Sequence, residues 1–469
     1  MLCIDTVIFI LCRILEREWK INKSKESLMK KYLGLMLAVV LSAEMLAGCG
    51  PGGSSAESGT TSDKSKSAGG TTKDGKYDLV FWVYSDAVTN EQGELFDQWV
   101  EEYCEENPKV NSIKLVGKND SDLLTALMSG VGLPDMFFAA ARDMRQYMGA
   151  IDLLDLSSVF DSEDGYKDGF YEPAISAVSQ EDGMWAMPFR SFVSIIFRNK
   201  DVMEKAGIDW KNESLYNWDV FFDECEKVKK SGIDVTHSWA QGGNFCPGAI
   251  LGSDAENLTV GVKKGKTTVK LEQVVRTFET VKKMETYSNG MTYNDEAASE
   301  AFKAGELGFI ALGPWNEPEY AQADTPYDVQ LIPPYEKDGW TGGLQGWDFM
   351  YGVDSGDEGR NDAIRGWLKK MGSYDTQQKF AQTLGQPVMR EDVMNDHKTQ
   401  TSDMLSILAD GMDCGLNQMD FGNSSVYWTS VIGDVAPAVS SGSVSPKEGA
   451  KMFIDEINGL YEEAGEGEE

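Results

Sequence analysis

The stretch YDLVFWVY, residues 77–84, predicts a buried strand, because a short run of β-branched and aromatic residues is typical of one. Residues 91–106 follow it with apolar side chains at three- and four-residue spacing, which predicts a helix. A second strand (112–117), a second helix (122–129) and a third strand (135–139) continue the alternation. The order β-α-β-α-β predicts a parallel sheet with right-handed crossovers, and therefore an α/β fold.

Polar side chains follow the first and third of these strands. Tyr84 and Asp86 stand at the end of the first strand, and Arg142 and Asp143 come just after the third. Ligands of such sheets bind outside the carboxyl ends of the strands. We therefore expect these four residues in a ligand site, with solvated loop charges as the alternative interpretation.

The rest of the chain alternates in the same way and contains no internal repeat. The body from 76 to 469 is long enough for two lobes. No glycine-rich phosphate loop follows a strand. We predict further strands at 192–197 and 307–312, and further helices at 200–206, 218–230, 271–288, 358–372 and 444–463.

The charge balance excludes several functions. The chain has 43 Lys and Arg against 76 Asp and Glu, a formal net charge of −33. Such an acidic body argues against binding to nucleic acid or, through charge, to an anionic bilayer. It has only two histidines, His237 and His397, and neither lies in a zinc or triad motif. We therefore predict no metal, no cofactor and no catalytic residues.

The N-terminal region has the pattern of an export signal. Lys30 and Lys31 precede an apolar run, 32–43, which is shorter than the ~20 residues of a spanning helix. Leu46-Ala-Gly-Cys49 resembles the lipobox of bacterial lipoproteins, in which the Cys is lipidated after cleavage. That resemblance makes 29–48 a signal peptide and Cys49 the anchor. We interpret the Gly- and Ser-rich segment 49–75 as a flexible tether and 1–28 as a mis-called extension before the true start, Met29.

Five motifs in the body resemble one family when taken together. They occur in the order found in extracellular sugar-binding proteins of bacterial ABC importers, the family 1 solute-binding proteins that include maltose-binding protein. One departure is Arg198, where the family usually has Tyr, and we expect it to affect packing only. The motifs are Leu133-Pro-Asp-Met-Phe-Phe138, Asp182-Gly-Met-Trp-Ala-Met-Pro188, Phe197-Arg-Asn-Lys-Asp201 with Glu204-Lys-Ala-Gly207, Trp218 before a helix, and Phe302-Lys-Ala-Gly305 followed by Gly313-Pro-Trp315.

The resemblance implies a periplasmic-binding-protein-like fold with a ligand cleft between two α/β lobes. The chain would cross between lobes near Pro188, near Pro333-Pro334 and near Gly385. One lobe is then 76–188 with 334–385, and the other is 189–333 with 386–469. Hinge closure around the ligand would present the protein to membrane permease subunits. We expect a monomer held by Cys49 at the outer face of the cell membrane.

Three tryptophans are candidate sugar platforms, because aromatic rings stack on the C–H faces of sugars. Trp315 follows a Gly-Pro turn after an apolar strand and, like Trp428, matches a stacking position of the family. Trp347 lies in a segment that returns to the cleft in the family. Periodicity assigns Trp82, Trp99 and Trp218 to the core instead.

Sugar hydroxyls also need polar partners, and charged groups form the stronger hydrogen bonds. Arg190 lies just after Pro188, near which the chain is expected to cross between the lobes. Arg390 is a weaker candidate. For each candidate the alternative is a solvated charge or a turn former. Gln241 and Asn244 lie in a Gly-rich loop that matches a ligand-binding loop of the family. The remaining candidates are Asn316 and Glu317, which follow Trp315, and Asp348.

These observations predict an extracellular lipoprotein that captures a carbohydrate, with the aromatic content favouring an oligosaccharide, and delivers it to an ABC importer. The alternatives are an exported polysaccharide-degrading enzyme and the ligand-binding component of a sensor. The body has four cysteines, which allow three complete pairings or remain free thiols. They are Cys104, Cys225, Cys246 and Cys414.

Overall fold

The computed structural model places alternating strands and helices along the compact unit Lys64–Glu469. It describes residues 69–163, 165–180, 183–239, 248–254, 262–288, 295–336, 344–400, 402–414, 416–417 and 425–464. The strands are β1 Gly70–Thr71, β2 Tyr77–Tyr84, β3 Val110–Lys118, β4 Met136–Ala140, β5 Ser179–Gln180, β6 Gly183–Met184, β7 Met187–Val193, β8 Ile195–Asn199, β9 His237–Trp239, β10 Val262–Lys263, β11 Lys266–Thr267, β12 Phe309–Leu312, β13 Tyr327–Leu331, β14 Leu344–Gly352 and β15 Leu416–Asn417.

The structure contains each helix that the sequence analysis predicted, and several further helices that it did not. Short 3₁₀ turns follow three of the strands, at Ser85–Val88, Ala141–Asp143 and Pro314–Asn316. The helices are α1 Asn90–Glu106, α2 Asp120–Ser129, α3 Met144–Ala150, α4 Ser157–Phe160, α5 Glu172–Val178, α6 Lys200–Lys205, α7 Trp218–Lys230, α8 Leu271–Ser288, α9 Asp295–Lys303, α10 Glu317–Gln322, α11 Glu358–Met371, α12 Tyr374–Leu384, α13 Glu391–Met394, α14 Asp403–Cys414, α15 Ser425–Ser440 and α16 Pro446–Ala464.

The first sheet has seven strands, of which β1 pairs antiparallel with β2, and it contains the predicted parallel unit. Strand β2 pairs in parallel with β3 and with β4, which confirms the β-α-β-α-β prediction. Strand β14 then pairs antiparallel with β4 and with β7, and parallel with β15. The later segments β7 and β14 therefore lie in the same sheet as the ends of β2 and β4.

The second sheet has four strands in the order β13-β8-β12-β9. Strand β8 pairs antiparallel with both β12 and β13. The predicted single strand 192–197 is wrong, because the chain changes sheet at Ser194. Val193 pairs with Gln345 in the first sheet, whereas Ile195 pairs with Leu312 in the second. Helix α14 contacts β7 and β13, one strand from each sheet.

Two hydrophobic cores enclose the second sheet. Ile195 and Phe197 pack in the core that includes the first sheet, whereas Ile196 between them packs in the second core. A strand buried on both faces reads as a continuous apolar run, which is what 195–197 shows. The tryptophans that were predicted to be core are buried, which confirms that prediction: Trp82, Trp99 and Trp218.

Arg198 is completely buried, and its effect is not limited to packing as expected. Its guanidinium lies 3.1 Å from the Glu224 carboxylate and also contacts Asp328, with Nε 2.8 Å from Oδ2. It donates further to the carbonyls of Trp210 and Glu213. A buried charge needs partners of this kind, so Arg198 is the centre of a buried ion network.

The structure bears on the state of the body cysteines and on whether any described helix could span a membrane. Cys104 and Cys225 are free thiols, and burial raises the pKa of both. Cys246 lies outside the described residues. Within the part of the chain that the structure describes, no helix has the length and apolar character to cross a bilayer.

Candidate functional site

An ion pair between two neighbouring strands is the centre of the candidate site. In the register of β7 and β14, Arg190 lies opposite Asp348, and Phe192 lies opposite Gly346. Successive side chains of a strand alternate between its faces, so Arg190 and Phe192 project to the same side. The Arg190 Nε lies 3.0 Å from Asp348 Oδ2, and the two side chains are 13% and 9% exposed.

Tyr84 joins this pair from the end of β2. Its hydroxyl donates to the second carboxylate oxygen of Asp348 over 3.2 Å. The Arg190 guanidinium lies 5.4 Å from the centre of the Tyr84 ring and 5.0 Å from that of Phe138. The structure therefore brings together three predicted ligand residues, Tyr84, Arg190 and Asp348, from three strands of one sheet. We call them the polar triad.

The turn after β4 lies at the same edge of the sheet, because Ala140 at the end of β4 pairs with Asp348. In this turn Asp143 is buried, and its carboxylate lies 3.7 Å from Arg142 Nε. The Gln146 amide donates to the same carboxylate over 3.3 Å. Arg142 and Asp143 thus form a second ion pair. It directly follows the end of β4, just as Tyr84 of the polar triad stands at the end of β2.

For two other predicted ligand residues, the structure gives the turn or helix that contains them. Asp86 lies in the 3₁₀ turn Ser85–Val88, directly after Tyr84. Trp428 lies in α15, which contacts the turn Ala141–Asp143. Both therefore belong to elements that adjoin the polar triad or the second ion pair.

Trp315 projects from the turn after β12 and is 37% exposed, an unusual exposure for so large an apolar ring. It packs edge-to-face on Phe192, with ring centroids 5.4 Å apart. Glycines make room for both rings. A Cβ at Gly313 would overlap the Trp315 ring, and a Cβ at Gly346 would overlap the Phe192 ring. We call Phe192 and Trp315 the aromatic corner.

Phe192 is a site residue that the sequence analysis missed. The alternation along β7 contains the signal, because Arg190 and Phe192 are two residues apart and hence on one face, roughly 7 Å from each other. Its neighbours Ser191 and Val193 are buried, whereas Phe192 is only partly so. The aromatic corner therefore adjoins the polar triad along a single strand.

Asn316 and Glu317 follow Trp315 and contact residues that lie within about twenty positions of them in the sequence. The Asn316 amide donates to Ser299 Oγ over 3.2 Å and to Glu319 over 3.3 Å. Glu317 accepts a hydrogen bond from the Tyr327 hydroxyl. Burial, and then this bond, raise the pKa of Tyr327. These contacts fix the turn that carries Trp315.

Trp347 lies on the opposite face of β14 from Asp348 and is buried. Its indole N–H donates to Gln345 Oε1 over 3.3 Å, and its ring stacks on Phe349. The structure therefore does not bring Trp347 onto the face that carries the polar triad. Its contact with a ligand stays a prediction.

The remaining candidates lie elsewhere. The Arg390 guanidinium is buried against Phe170 and donates to Asp392 and to the Gly372 carbonyl. Gln241, Asn244 and Cys49 lie outside the described residues. Among the described residues, no cluster of His, Cys, Asp and Glu could hold a metal ion.

The arrangement offers two kinds of group to a ligand. The polar triad carries charged hydrogen-bonding groups, which form strong bonds to hydroxyls. The aromatic corner presents an exposed indole, which can cover an apolar face. Both kinds are found where a polyhydroxylated ligand with flat C–H faces is bound.

A family model described as "Bacterial extracellular solute-binding protein" matches residues 86–403. Among curated proteins, an arabinooligosaccharide-binding protein of Bacillus subtilis is 25% identical over 202 residues, 42% of this chain and 41% of that protein. An sn-glycerol-3-phosphate-binding periplasmic protein of Agrobacterium fabrum is 25% identical over 190 residues, 38% of this chain and 43% of that protein. The chain thus spans about two fifths of the length of these relatives.

Among solved structures, the GacH receptor of Streptomyces glaucescens is similar over its whole fold, with a TM-score of 0.67. The match covers 82% of this chain and 98% of the receptor at 18% identity. That receptor was solved unliganded and with acarbose. At this identity the likeness shows a shared fold.

Proposed function

The chain belongs to the bacterial extracellular solute-binding protein family, and we propose that it captures a carbohydrate and delivers it to an ABC importer. The family match confirms the resemblance that the sequence motifs indicated. The likeness to solved two-lobed binding proteins confirms the α/β fold of that class. In the proposed cycle the lobes close on the sugar by a hinge motion, and the permease subunits recognise the closed form.

The observation that carries the proposal is the polar triad beside the aromatic corner. Hydroxyls would bond to Tyr84, Arg190 and Asp348, and a sugar ring would stack on Trp315. The name of the Bacillus subtilis relative supports an oligosaccharide as the ligand. The other residues that we propose as ligand contacts are Asp86, Arg142, Asp143, Gln241, Asn244, Asn316, Glu317, Trp347 and Trp428.

We further propose that the protein works as a monomer tethered to the outer face of the membrane. The lipobox before Cys49 supports an acyl anchor there, and two or more acyl chains would hold it firmly. The Gly- and Ser-rich residues 50–75 would then let the body reach the importer.

The contacts of Asp348 favour binding over hydrolysis. A glycoside hydrolase needs one protonated carboxyl group as its acid. Both Asp348 oxygens instead accept hydrogen bonds within the protein, one from Arg190 and one from Tyr84. Asp143 is likewise paired with Arg142.

Titration calorimetry of the full chain in detergent against arabinotriose, maltotriose and xylotriose tests the proposal. We expect one of these sugars to bind with a micromolar or lower Kd and to raise the melting temperature. The bound sugar should be recovered intact by chromatography. Progressive shortening of the sugar would favour the hydrolase alternative, and failure of every saccharide tested to bind would contradict the proposal.

A further inference from the structure

Resting on the proposed function, we infer that the site selects uncharged saccharides and rejects acidic ones, such as uronates. The basis is that Arg142 and Arg190, the two predicted ligand arginines at this edge of the first sheet, each form an ion pair with a carboxylate of the protein in the described part of the chain. An acidic ligand would have to displace that carboxylate or lie beside it.

The first of these arginines is Arg190. Asp348 holds its Nε at 3.0 Å, while the Tyr84 hydroxyl binds the other oxygen of Asp348. The Tyr84 and Phe138 rings, 5.4 and 5.0 Å away, cover the guanidinium further. A ligand carboxylate that reached Arg190 would meet the negative charge of Asp348 in a setting where little water screens it.

The second arginine follows the same pattern. Arg142 lies 3.7 Å from the carboxylate of Asp143, which is buried and also accepts from Gln146. Each of the two predicted ligand arginines thus contacts a carboxylate among the described residues, and each of these two ion pairs is neutral.

Sequence composition adds a second, independent argument. The chain as a whole carries −33, and a field of that sign repels anions from the surface.

A sugar hydroxyl suits such a paired site. It donates and accepts at once, so it can bond to the carboxylate and to a guanidinium N–H without separating them. A carboxylate can only accept, so at Arg190 it would either compete with the aspartate for the guanidinium or lie beside it with two negative charges close together. The ion pair therefore distinguishes the two classes of ligand by charge.

The test compares the wild-type chain with Asp348→Asn, which keeps the shape of the side chain but removes the negative charge that contacts Arg190. The probes are arabinotriose, maltotriose and xylotriose as neutral trisaccharides and trigalacturonate as an acidic one. We expect wild type to bind its best neutral probe at least 100-fold more tightly than trigalacturonate. Asp348→Asn should bind trigalacturonate at least 10-fold more tightly than wild type does, and this gain should shrink as salt rises.

The control is Asp97→Asn, which removes the same charge from an exposed position on α1. It should change neither Kd by more than about twofold. Trigalacturonate binding to wild type within about threefold of the neutral probe would overturn the inference, and this comparison does not depend on how the variant folds. A folded Asp348→Asn variant without the gain would also overturn it. If neither class bound wild type, the proposed function itself would fail, which is a different outcome.

Discussion

The indole ring of Trp315 stands at 84° to the ring of Phe192, with 5.4 Å between their centroids. Trp315 follows β12 in the second sheet, whereas Phe192 lies in β7 of the first. The exposed ring is therefore held in place by a residue of the other sheet. Any motion of one sheet relative to the other would change this contact, so the aromatic corner would respond to the hinge closure that we propose.

Trp315→Ala should reduce the affinity for the best-bound neutral trisaccharide by roughly 10- to 100-fold, since a well-placed aromatic contact contributes on the order of 1–3 kcal/mol. The ring is partly exposed, so the free energy of unfolding without ligand should fall by less than the ~3–5 kcal/mol of a core tryptophan. Titration calorimetry and thermal melts measure the two effects. A large drop in melting temperature with unchanged affinity would contradict the platform role.

Gly346→Ala should weaken ligand binding, and it should do so only by displacing the Phe192 ring. The new Cβ would overlap the Phe192 ring and force it to rotate, which removes the support of Trp315. We expect a loss of affinity of about fivefold or more and a destabilisation of roughly 1–3 kcal/mol from overpacking. Calorimetry and tryptophan fluorescence would report both changes.

Two variants separate this effect from that of any added methyl group. Gly149→Ala makes the same change where a Cβ meets nothing within 4 Å, so it should leave affinity unchanged. In a Phe192→Ala background the steric conflict is gone, and Gly346→Ala should then have little further effect. Additive losses in the double mutant would show that the two residues act independently.

The first sheet could be predicted from the sequence because each of its early strands is short, apolar and bounded by a helix. The sheet change at Ser194 could not, because apolar residues continue on both sides of it from Phe192 to Phe197. What breaks the strand is its pairing, first with β14 and then with β12, whose residues lie more than a hundred positions away.

In the candidate site, too, positions with a local sequence signal could be predicted, whereas contacts between distant residues could not. Tyr84 was predicted from its place at a strand end, whereas its bond to Asp348 joins residues 264 positions apart. Strand alternation alone would have assigned Trp347 and Asp348 to opposite faces. The buried role of Arg198 had no local signal, because its carboxylate partners, Glu224 and Asp328, are 26 and 130 residues away in sequence.

Cys49→Ala should abolish lipid labelling, because the lipobox thiol is the proposed acceptor. Cells that express wild type or variant are fed a fatty acid analogue, and the label on the protein is measured. Cys104→Ala is the control: its thiol lies in the folded body, where burial raises its pKa, and labelling should persist. Equal labelling of wild type and Cys49→Ala would rule out the anchor.

The buried ion network predicts an unusual pH dependence. Arg198 is shared between Glu224 and Asp328, and Gln330 also donates to Asp328. Burial raises the pKa of Glu224 to about 7, and the partial pairing with Arg198 only reduces that shift. In the unfolded chain the pKa of Glu224 has its ordinary value of about 4.5. Between these values the native state binds the proton more tightly than the unfolded state.

Glu224 should therefore stabilise the fold most below about pH 4.5, and this contribution should be lost as the pH rises through 7. Glu224→Gln resembles the protonated acid in size and neutrality, so it should escape this loss. From pH 5 to pH 8 its free energy of unfolding should gain about 1–3 kcal/mol relative to wild type. Urea denaturation at pH 5, 6.5 and 8 measures the difference, and Glu105→Gln, an exposed change on α1, should show none. A constant difference between Glu224→Gln and wild type across this range would mean that Glu224 is already ionised in the native state at pH 5.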